Sequence, residues 1–181
     1  PTDSYASKMY DYVKSKYESN ITWEQTRDSI YNRYQVLEKD GYNITSKNLY
    51  CNGCFASGIN YAASLVSLFY GEGNFIETIK IGTLCGWDSD NPTATWGGLL
   101  GFIYGKEKIE ALFPTKLSNK FNIHRTRRNF ENDGLDTFEN MSSKGISIVD
   151  GVIINHLGGK SENGTWIIPK SKIEINPENH E

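Results

Sequence analysis

Apolar and aromatic residues recur every three or four positions over the first part of the chain, which is the period of an amphipathic helix. The pattern predicts a first helix over residues 4–18 and a second from about residue 23 to residue 39. Thr22 immediately precedes the second helix, and Gln25 stands three positions later, which is the spacing of a capping box. The chain is therefore predicted to begin with two helices.

The middle of the chain is more apolar and is divided by short polar turns. Residues 59–70 and 75–84 are predicted to form two strongly hydrophobic helices. A further helix is expected from about residue 92 to residue 104, with Asn91 as its N-cap and Pro92 at its first position. Gly97, Gly101 and Gly105 are four residues apart, so they predict a close approach to another backbone. We expect this helix to be central and buried.

The last third has weaker periodicity. Residues 106–112 predict a short helix, and residues 117–135 are polar and irregular. Residues 143–157 favour a last helix, although 146–149 and 152–154 are also compatible with strands. Residues 165–168 and 172–175 predict a small two-stranded ribbon. The fold class is therefore mainly α, with a helical portion over 1–159 and a β-ribbon tail over 160–181.

Composition and charge narrow the classes of function. The 181 residues carry a net charge of −3, so no general attraction to nucleic acid is expected. No apolar run approaches the roughly 20 residues needed to span a bilayer. The chain begins at Pro1 without an initiator methionine, and we expect it to be a mature piece of a longer precursor.

Glycosylation sequons and cysteines favour a secreted or lumenal protein. Asn20, Asn43, Asn140 and Asn163 each begin an Asn-x-Ser/Thr sequon. Cys51 and Cys54 are spaced to form a small disulfide, which leaves Cys85 unpaired. A thioredoxin-type site is disfavoured because no clear strand precedes Cys51.

The candidate chemistry lies in the segment Gly86-Trp87-Asp88-Ser89-Asp90-Asn91. Within a helix, Asp88 and Asp90 would point about 200° apart, but at a turn before a helix their carboxylates can converge. Hard oxygen ligands of this kind suit Mg²⁺ or Mn²⁺. The simpler alternative is an acidic helix cap that is favoured by the helix dipole.

Other motifs give less support for a function. The EF-hand pattern fails, because Thr93 stands at the glycine position and Leu99 at the glutamate position. The basic cluster over residues 124–128 is suited to a phosphate, but a solvated surface is the more common role of such a run. No P-loop or hydrolase elbow occurs.

The acidic segment and its surroundings resemble the C-terminal metal-binding motif of the ADP-ribosylglycohydrolase family. The resemblance rests on Gly-Trp-Asp-Ser-Asp, on the small-residue helix that follows it, and on the preceding Tyr70-Gly71-Glu72-Gly73-Asn74-Phe75. It covers about residues 23–105 with fair specificity and extends more weakly to about residue 159.

This resemblance implies an all-α fold and a pair of divalent ions, usually Mg²⁺, that assist cleavage of an N- or O-glycosidic bond to ADP-ribose. Asp88 and Asp90 correspond to metal ligands, and Asn91 stands where Thr, Ser or Cys is usual. The family's first metal motif, of the Thr-Asp-Asp type, is absent from this chain. We therefore expect the two-metal site to be shared with an N-terminal fragment of the same precursor.

Two functions are compatible with the sequence. The first is the C-terminal chain of a secreted, metal-dependent ADP-ribosylglycohydrolase-like hydrolase with an ADP-ribose-like ligand. The second is an inactive relative that serves as a binding, toxin or immunity-type subunit. The catalytic residues themselves are not identified by the sequence.

Overall fold

The structure is a computed structural model that describes residues 2–44, 47–48, 51, 53–123 and 128–170. The chain is mainly helical, as predicted. Its contacts divide it into two compact units, residues 1–114 and residues 115–181, which we describe separately. The boundary predicted at residue 159 falls inside the second of these units and stays a prediction as a domain boundary.

The first unit begins with two capped helices. Helix α1 spans Tyr5–Glu18, and the Ser4 hydroxyl caps it by accepting from the Ser7 N–H. Helix α2 spans Trp23–Ile30, and the capping box of Thr22 and Gln25 is present in both directions. A π-helix then runs over Tyr31–Val36, so the regular α-helix ends well before the predicted residue 39.

Helix α3, Ser57–Gly71, is the centre of the first unit. It contacts α1, α2, the π-helix and the two helices that follow it. Its apolar side chains surround the whole helix, so it can be buried on several sides at once. The core that it forms with these neighbours consists largely of Met9, Val13, Ile30, Tyr34, Ile59, Ala62, Ala63, Val66 and Ile81.

Helices α4, α5 and α6 complete the first unit. They span Phe75–Cys85, Asp90–Tyr104 and Lys106–Glu110, and α5 packs on both α3 and α4. The prediction that α5 begins at Pro92 with Asn91 as N-cap is wrong, because Ser89 occupies the N-cap position. The first four N–H groups of a helix have no partner within it, so proline also fits at the third position, where Pro92 lies.

The predicted burial of α5 is also wrong. Only Pro92 and Leu100 of this helix are buried, and Phe102 is 89% exposed. A Cβ on Gly101 would meet nothing within 4 Å, whereas one on Gly71 would lie 2.7 Å from the Cα of Thr78. The close helix approach predicted from glycine is therefore made by α3 and α4, and not by the glycine stripe of α5.

The second unit contains more strand than expected. Strand β1, Lys120–Asn122, pairs antiparallel with β2, Leu135–Thr137, and a short 3₁₀ segment over Glu131–Gly134 precedes β2. The prediction of an irregular segment over residues 117–135 is therefore wrong. Helix α7 spans Phe138–Asn155, so the helical alternative for this region is correct.

The predicted strand over residues 165–168 is present in the terminal ribbon, where it pairs with an earlier strand. Strand β3, Lys160–Glu162, pairs with β4, Thr165–Ile167. Asn163 and Gly164 connect them with φ of 52° and 72°, which is the left-handed backbone that a two-residue Asn-Gly hairpin requires. The second predicted strand, 172–175, lies outside the described residues.

Candidate functional site

The acidic turn, residues 86–91, connects α4 to α5 by an abrupt change of backbone direction. Gly86 has φ of 88° and Trp87 has φ of 57°. Left-handed backbone is unfavourable for a bulky residue and requires support from its surroundings. The Trp87 ring provides that support, because it packs against the core and stacks on Tyr31 with ring centroids 6.5 Å apart.

The turn brings the two predicted carboxyl groups together. Asp88 precedes α5 and Asp90 is its first residue. The neighbouring Asp90 carboxyl, together with lost hydration, raises the pKa of Asp88 above its ordinary value. Two adjacent carboxylates that repel each other form a favourable environment for a cation, so the donor set fits Mg²⁺ or Mn²⁺.

Asn91 lies at the same place but acts here as a donor. Its side-chain amide donates to Oδ2 of Asp88 at 2.6 Å, and its backbone N–H donates to the Asp88 carbonyl at 3.0 Å. Asn91 thus holds the Asp88 carboxylate in position. To bind a cation through its own oxygen, the amide would have to turn.

The side chain of Thr93 is hydrogen-bonded to the backbone at the start of α5. The Thr93 hydroxyl donates to the carbonyl oxygens of Ser89 and Asp90 at 2.9 and 3.1 Å. Ser89 makes no side-chain cap bond to the helix. The simpler alternative was an acidic helix cap. Asp90 fits it in part, because it lies in the first turn, where its negative charge interacts favourably with the helix dipole.

Asn60 of α3 is a residue that the sequence did not single out. It is 7% exposed, and its Oδ1 accepts the backbone N–H of Asp88 at 3.1 Å. This bond joins positions 28 residues apart in the chain. A polar residue inside the apolar pattern of residues 59–70 was the signal from which it could have been found.

The acidic turn itself contributes two carboxylates, Asp88 and Asp90. Over residues 2–44, 47–48, 51, 53–123 and 128–170, no group of three or more His, Cys, Asp or Glu side chains is arranged to hold a metal ion. An octahedral ion has six ligands, so most of them would be water or groups from elsewhere. Residues 124–127 of the basic cluster lie outside the described residues.

The cysteines and sequons occupy distinct environments. Cys51 and Cys54 are joined by a disulfide. Cys85 is buried, and burial raises the pKa of its thiol to about 12, so it remains protonated and unreactive at neutral pH. All four sequon asparagines, Asn20, Asn43, Asn140 and Asn163, are exposed.

Comparison with known proteins identifies the family. The sequence model described as ADP-ribosylglycohydrolase matches residues 3–141, which includes the acidic turn and most of the helical chain. The chain belongs to the ADP-ribosylglycohydrolase family. The match begins twenty residues before the region in which the resemblance was recognised and continues past residue 105. No curated protein and no solved structure gives a significant match.

Family membership supports a hydrolase-like function for the chain. None of the helices in the described part of the chain is sufficiently long and apolar to cross a membrane.

Proposed function

We propose that this chain is the C-terminal part of a divalent-metal-dependent hydrolase that acts on an ADP-ribosyl or related N- or O-glycosidic bond. The observation that carries this proposal is the convergence of Asp88 and Asp90 at a supported turn within the region that matches the family. Hard oxygen ligands at such a turn suit Mg²⁺ or Mn²⁺.

Asp88 and Asp90 would hold the ion, with Asn91 beside them. A divalent cation supplies positive charge that orients substrate oxygens and offsets charge in an oxocarbenium-like transition state. The residues of this chain would fix the position of the carboxylates through Asn91, Asn60 and the partly buried ring of Trp87. An N-terminal fragment of the same precursor is proposed to supply the remaining carboxylates of a two-metal site.

A hydrolysis assay tests this function. The chain, purified together with the N-terminal part of its precursor, is incubated with ADP-ribosylated peptide, and the release of ADP-ribose is measured. We expect release that requires Mg²⁺ or Mn²⁺ and falls by at least about 100-fold in Asp88→Ala, since metal positioning and charge stabilisation are lost together. Release that is unaffected by chelator or by Asp88→Ala would overturn the proposal.

The second candidate is an inactive relative that keeps the fold for binding, as a toxin, effector or immunity-type subunit. The observation that favours it is the direct hydrogen bond from Asn91 to Asp88, which occupies a carboxylate oxygen that a cation would need. This candidate predicts binding of ADP-ribose without turnover under the same assay conditions. Turnover of the peptide excludes it.

The protein is further proposed to be secreted or lumenal. The disulfide and the four exposed sequons support this localisation, because both modifications belong to the secretory route. The intact mass of native material before and after enzymatic removal of N-glycans tests it. A mass equal to that of the unmodified chain would contradict glycosylation.

A further inference from the structure

Asn60 connects two segments that are far apart in the sequence. Its Nδ2 donates to the carbonyl oxygens of Cys54 at 2.8 Å and Ala56 at 3.0 Å, and its Oδ1 accepts from the Asp88 N–H at 3.1 Å. Every polar atom of the side chain therefore has a partner. A buried amide costs free energy unless it is satisfied in this way, so its full set of bonds makes the arrangement specific.

The segment on one side of Asn60 is itself fixed. We call residues 51 and 53–56 the disulfide loop, because the Cys51–Cys54 disulfide lies at its start. The carbonyl of Gly53 in this loop accepts from the side chain of Gln35 and from the Ala56 N–H, each at 3.0 Å. The Cys54 carbonyl that Asn60 contacts is therefore part of a constrained loop.

The segment on the other side of Asn60 needs restraint. The acidic turn contains the left-handed Trp87 immediately before Asp88. A backbone in this conformation persists only when its surroundings hold it. The bond from the Asp88 N–H to Asn60 is a direct side-chain restraint on the peptide that carries the Asp88 carboxylate.

We infer that Asn60 is a positioning residue that ties the acidic turn to the disulfide loop and so fixes the Asp88 carboxylate for cation binding. The cation-binding part of this inference rests on the proposed function. The positioning part stands on the hydrogen bonds alone. The inference extends the site from the turn to α3 and to the loop before it.

Hydrogen exchange of the Asp88 amide tests the positioning directly. In the full chain we expect Asn60→Ala to accelerate exchange of this amide about tenfold relative to the Val66 amide in the middle of α3, since one buried hydrogen bond is lost. Ser64→Ala is the matched control. It removes a hydroxyl bond to the Asn60 carbonyl from the same helix but makes no contact with the turn through that hydroxyl.

Asn60→Ser keeps the test informative if the alanine variant is unstable. A serine hydroxyl is able to bond the carbonyl of Ala56 four residues earlier but is too short to reach Asp88. This variant should fold like the wild type and still show the accelerated exchange of the Asp88 amide. A double variant, Cys51→Ser with Cys54→Ser, should accelerate the same amide, because the disulfide loop loses its constraint.

The cation readout uses Mn²⁺ alone as the probe, added to the chain together with its co-purified N-terminal segment. Mn²⁺ broadens the amide signals of residues near its site, and we expect the concentration for half-broadening of residues 88–91 to rise about threefold or more in Asn60→Ser. The Ser64→Ala control should leave it unchanged.

The outcomes separate the two claims. Unchanged Asp88 exchange in both Asn60 variants would overturn the positioning role, whatever the result with Mn²⁺. Accelerated exchange without any Mn²⁺ broadening in the wild type would support the positioning role and overturn the cation site of the proposed function. Accelerated exchange with unchanged half-broadening would overturn the link from position to cation affinity.

Discussion

Asp40 shows how one carboxylate stabilises the first unit. It accepts a fork of two hydrogen bonds from Arg33, each 2.8 Å long, and a third from the Tyr34 hydroxyl at 3.1 Å. The Asp40 side chain is 15% exposed. These bonds lower the pKa of Asp40 below its ordinary value, with the Arg33 bond as the largest cause. Charge-assisted, two-point contacts of this kind are among the stronger polar interactions in proteins.

Replacing Asp40 should therefore cost stability in a pH-dependent way. Since the pKa is lower in the folded state, the contribution is complete above the unfolded value of about 3.9 and disappears as the pH falls through the folded value. We expect Asp40→Asn to lose about 1–3 kcal/mol at pH 7 and progressively less as the pH falls below the unfolded value, as measured by urea unfolding. Glu18→Gln, which breaks the exposed pair with Lys14, should cost much less, because exposed ion pairs contribute little to stability. Equal losses in the two variants would contradict this account.

The contribution of Asp88 to stability should depend on pH with the opposite sign. Its pKa is raised in the folded state, mainly by the neighbouring Asp90 carboxyl. The contribution of Asp88 to stability is therefore greatest at low pH and declines as the pH rises through the folded value. In the absence of divalent cations, we expect Asp88→Asn to be more stable than the wild type at pH 7 and equal to it at low pH. A less stable Asp88→Asn protein at pH 7 would contradict the close carboxyl pair.

Single residues also mark what the sequence predicted and what it did not. The cap of α2 was predictable, because Thr22 and Gln25 act within three residues of their partners. The role of Asn60 was not predictable, because its partner Asp88 is 28 positions away and only the fold brings them together. The cation ligands Asp88, Asp90 and Asn91 stay a prediction, although the turn that brings them together is present.

At the level of helices, glycine has different roles in α3 and α5. A Cβ on Gly71 would lie 2.0 Å from Oγ1 of Thr78 and 2.7 Å from its Cα, so α3 and α4 approach too closely there for any side chain. Gly101 in α5 has open space around the same position. The spacing of glycines predicted a close approach but could not identify which helix makes it.

Alanine substitutions at these two glycines should have opposite effects. We expect Gly71→Ala to destabilise the protein by about 1–3 kcal/mol, because the helices must separate or distort. Gly101→Ala should stabilise it by up to about 1 kcal/mol, because alanine has the higher helix propensity and meets no neighbour. The urea midpoints of the two variants provide the measurement. A stability loss in Gly101→Ala equal to that in Gly71→Ala would show that α5 is closely packed after all.

The terminal ribbon illustrates a signal that was present in the sequence and was not used. Asn163-Gly164 is a typical two-residue hairpin loop, and it defines the register of β3 and β4. Strands β1 and β2 were harder to predict, since each has three residues and they are separated by more than ten positions. Short, polar strands carry too little alternation to be recognised from the pattern.

At the scale of the whole molecule, the main hydrophobic core lies entirely in the first unit. Its buried members extend from Met9 to Cys85, all before the division at Pro114. We therefore expect a fragment of residues 1–114 to fold cooperatively by itself. A single unfolding transition in circular dichroism, with a helical spectrum, checks this expectation. A fragment without a cooperative transition would contradict the independence of the first unit.

The family match extends over both units, since it continues to Met141 in α7. The helical class and the family could be predicted from the sequence, because helical periodicity and the acidic motif are local signals. The division at Pro114 was not, because it depends on which helices share contacts. The polar segment that begins at residue 117 indicated the end of a helix but not a boundary between two units.

The central claim is that Asp88 and Asp90 form a divalent cation site, and a calorimetric titration with Mg²⁺ tests it most directly. The chain is titrated with its co-purified N-terminal segment, as wild type, as Asp88→Ala with Asp90→Ala, and as the control Glu107→Ala with Glu110→Ala, which removes two carboxylates from α6. We predict saturable binding in the wild type and the control and at least about tenfold weaker binding without the two aspartates, because the ion loses its charged ligands. Equal affinity in all three proteins, or no binding in the wild type, would contradict the account.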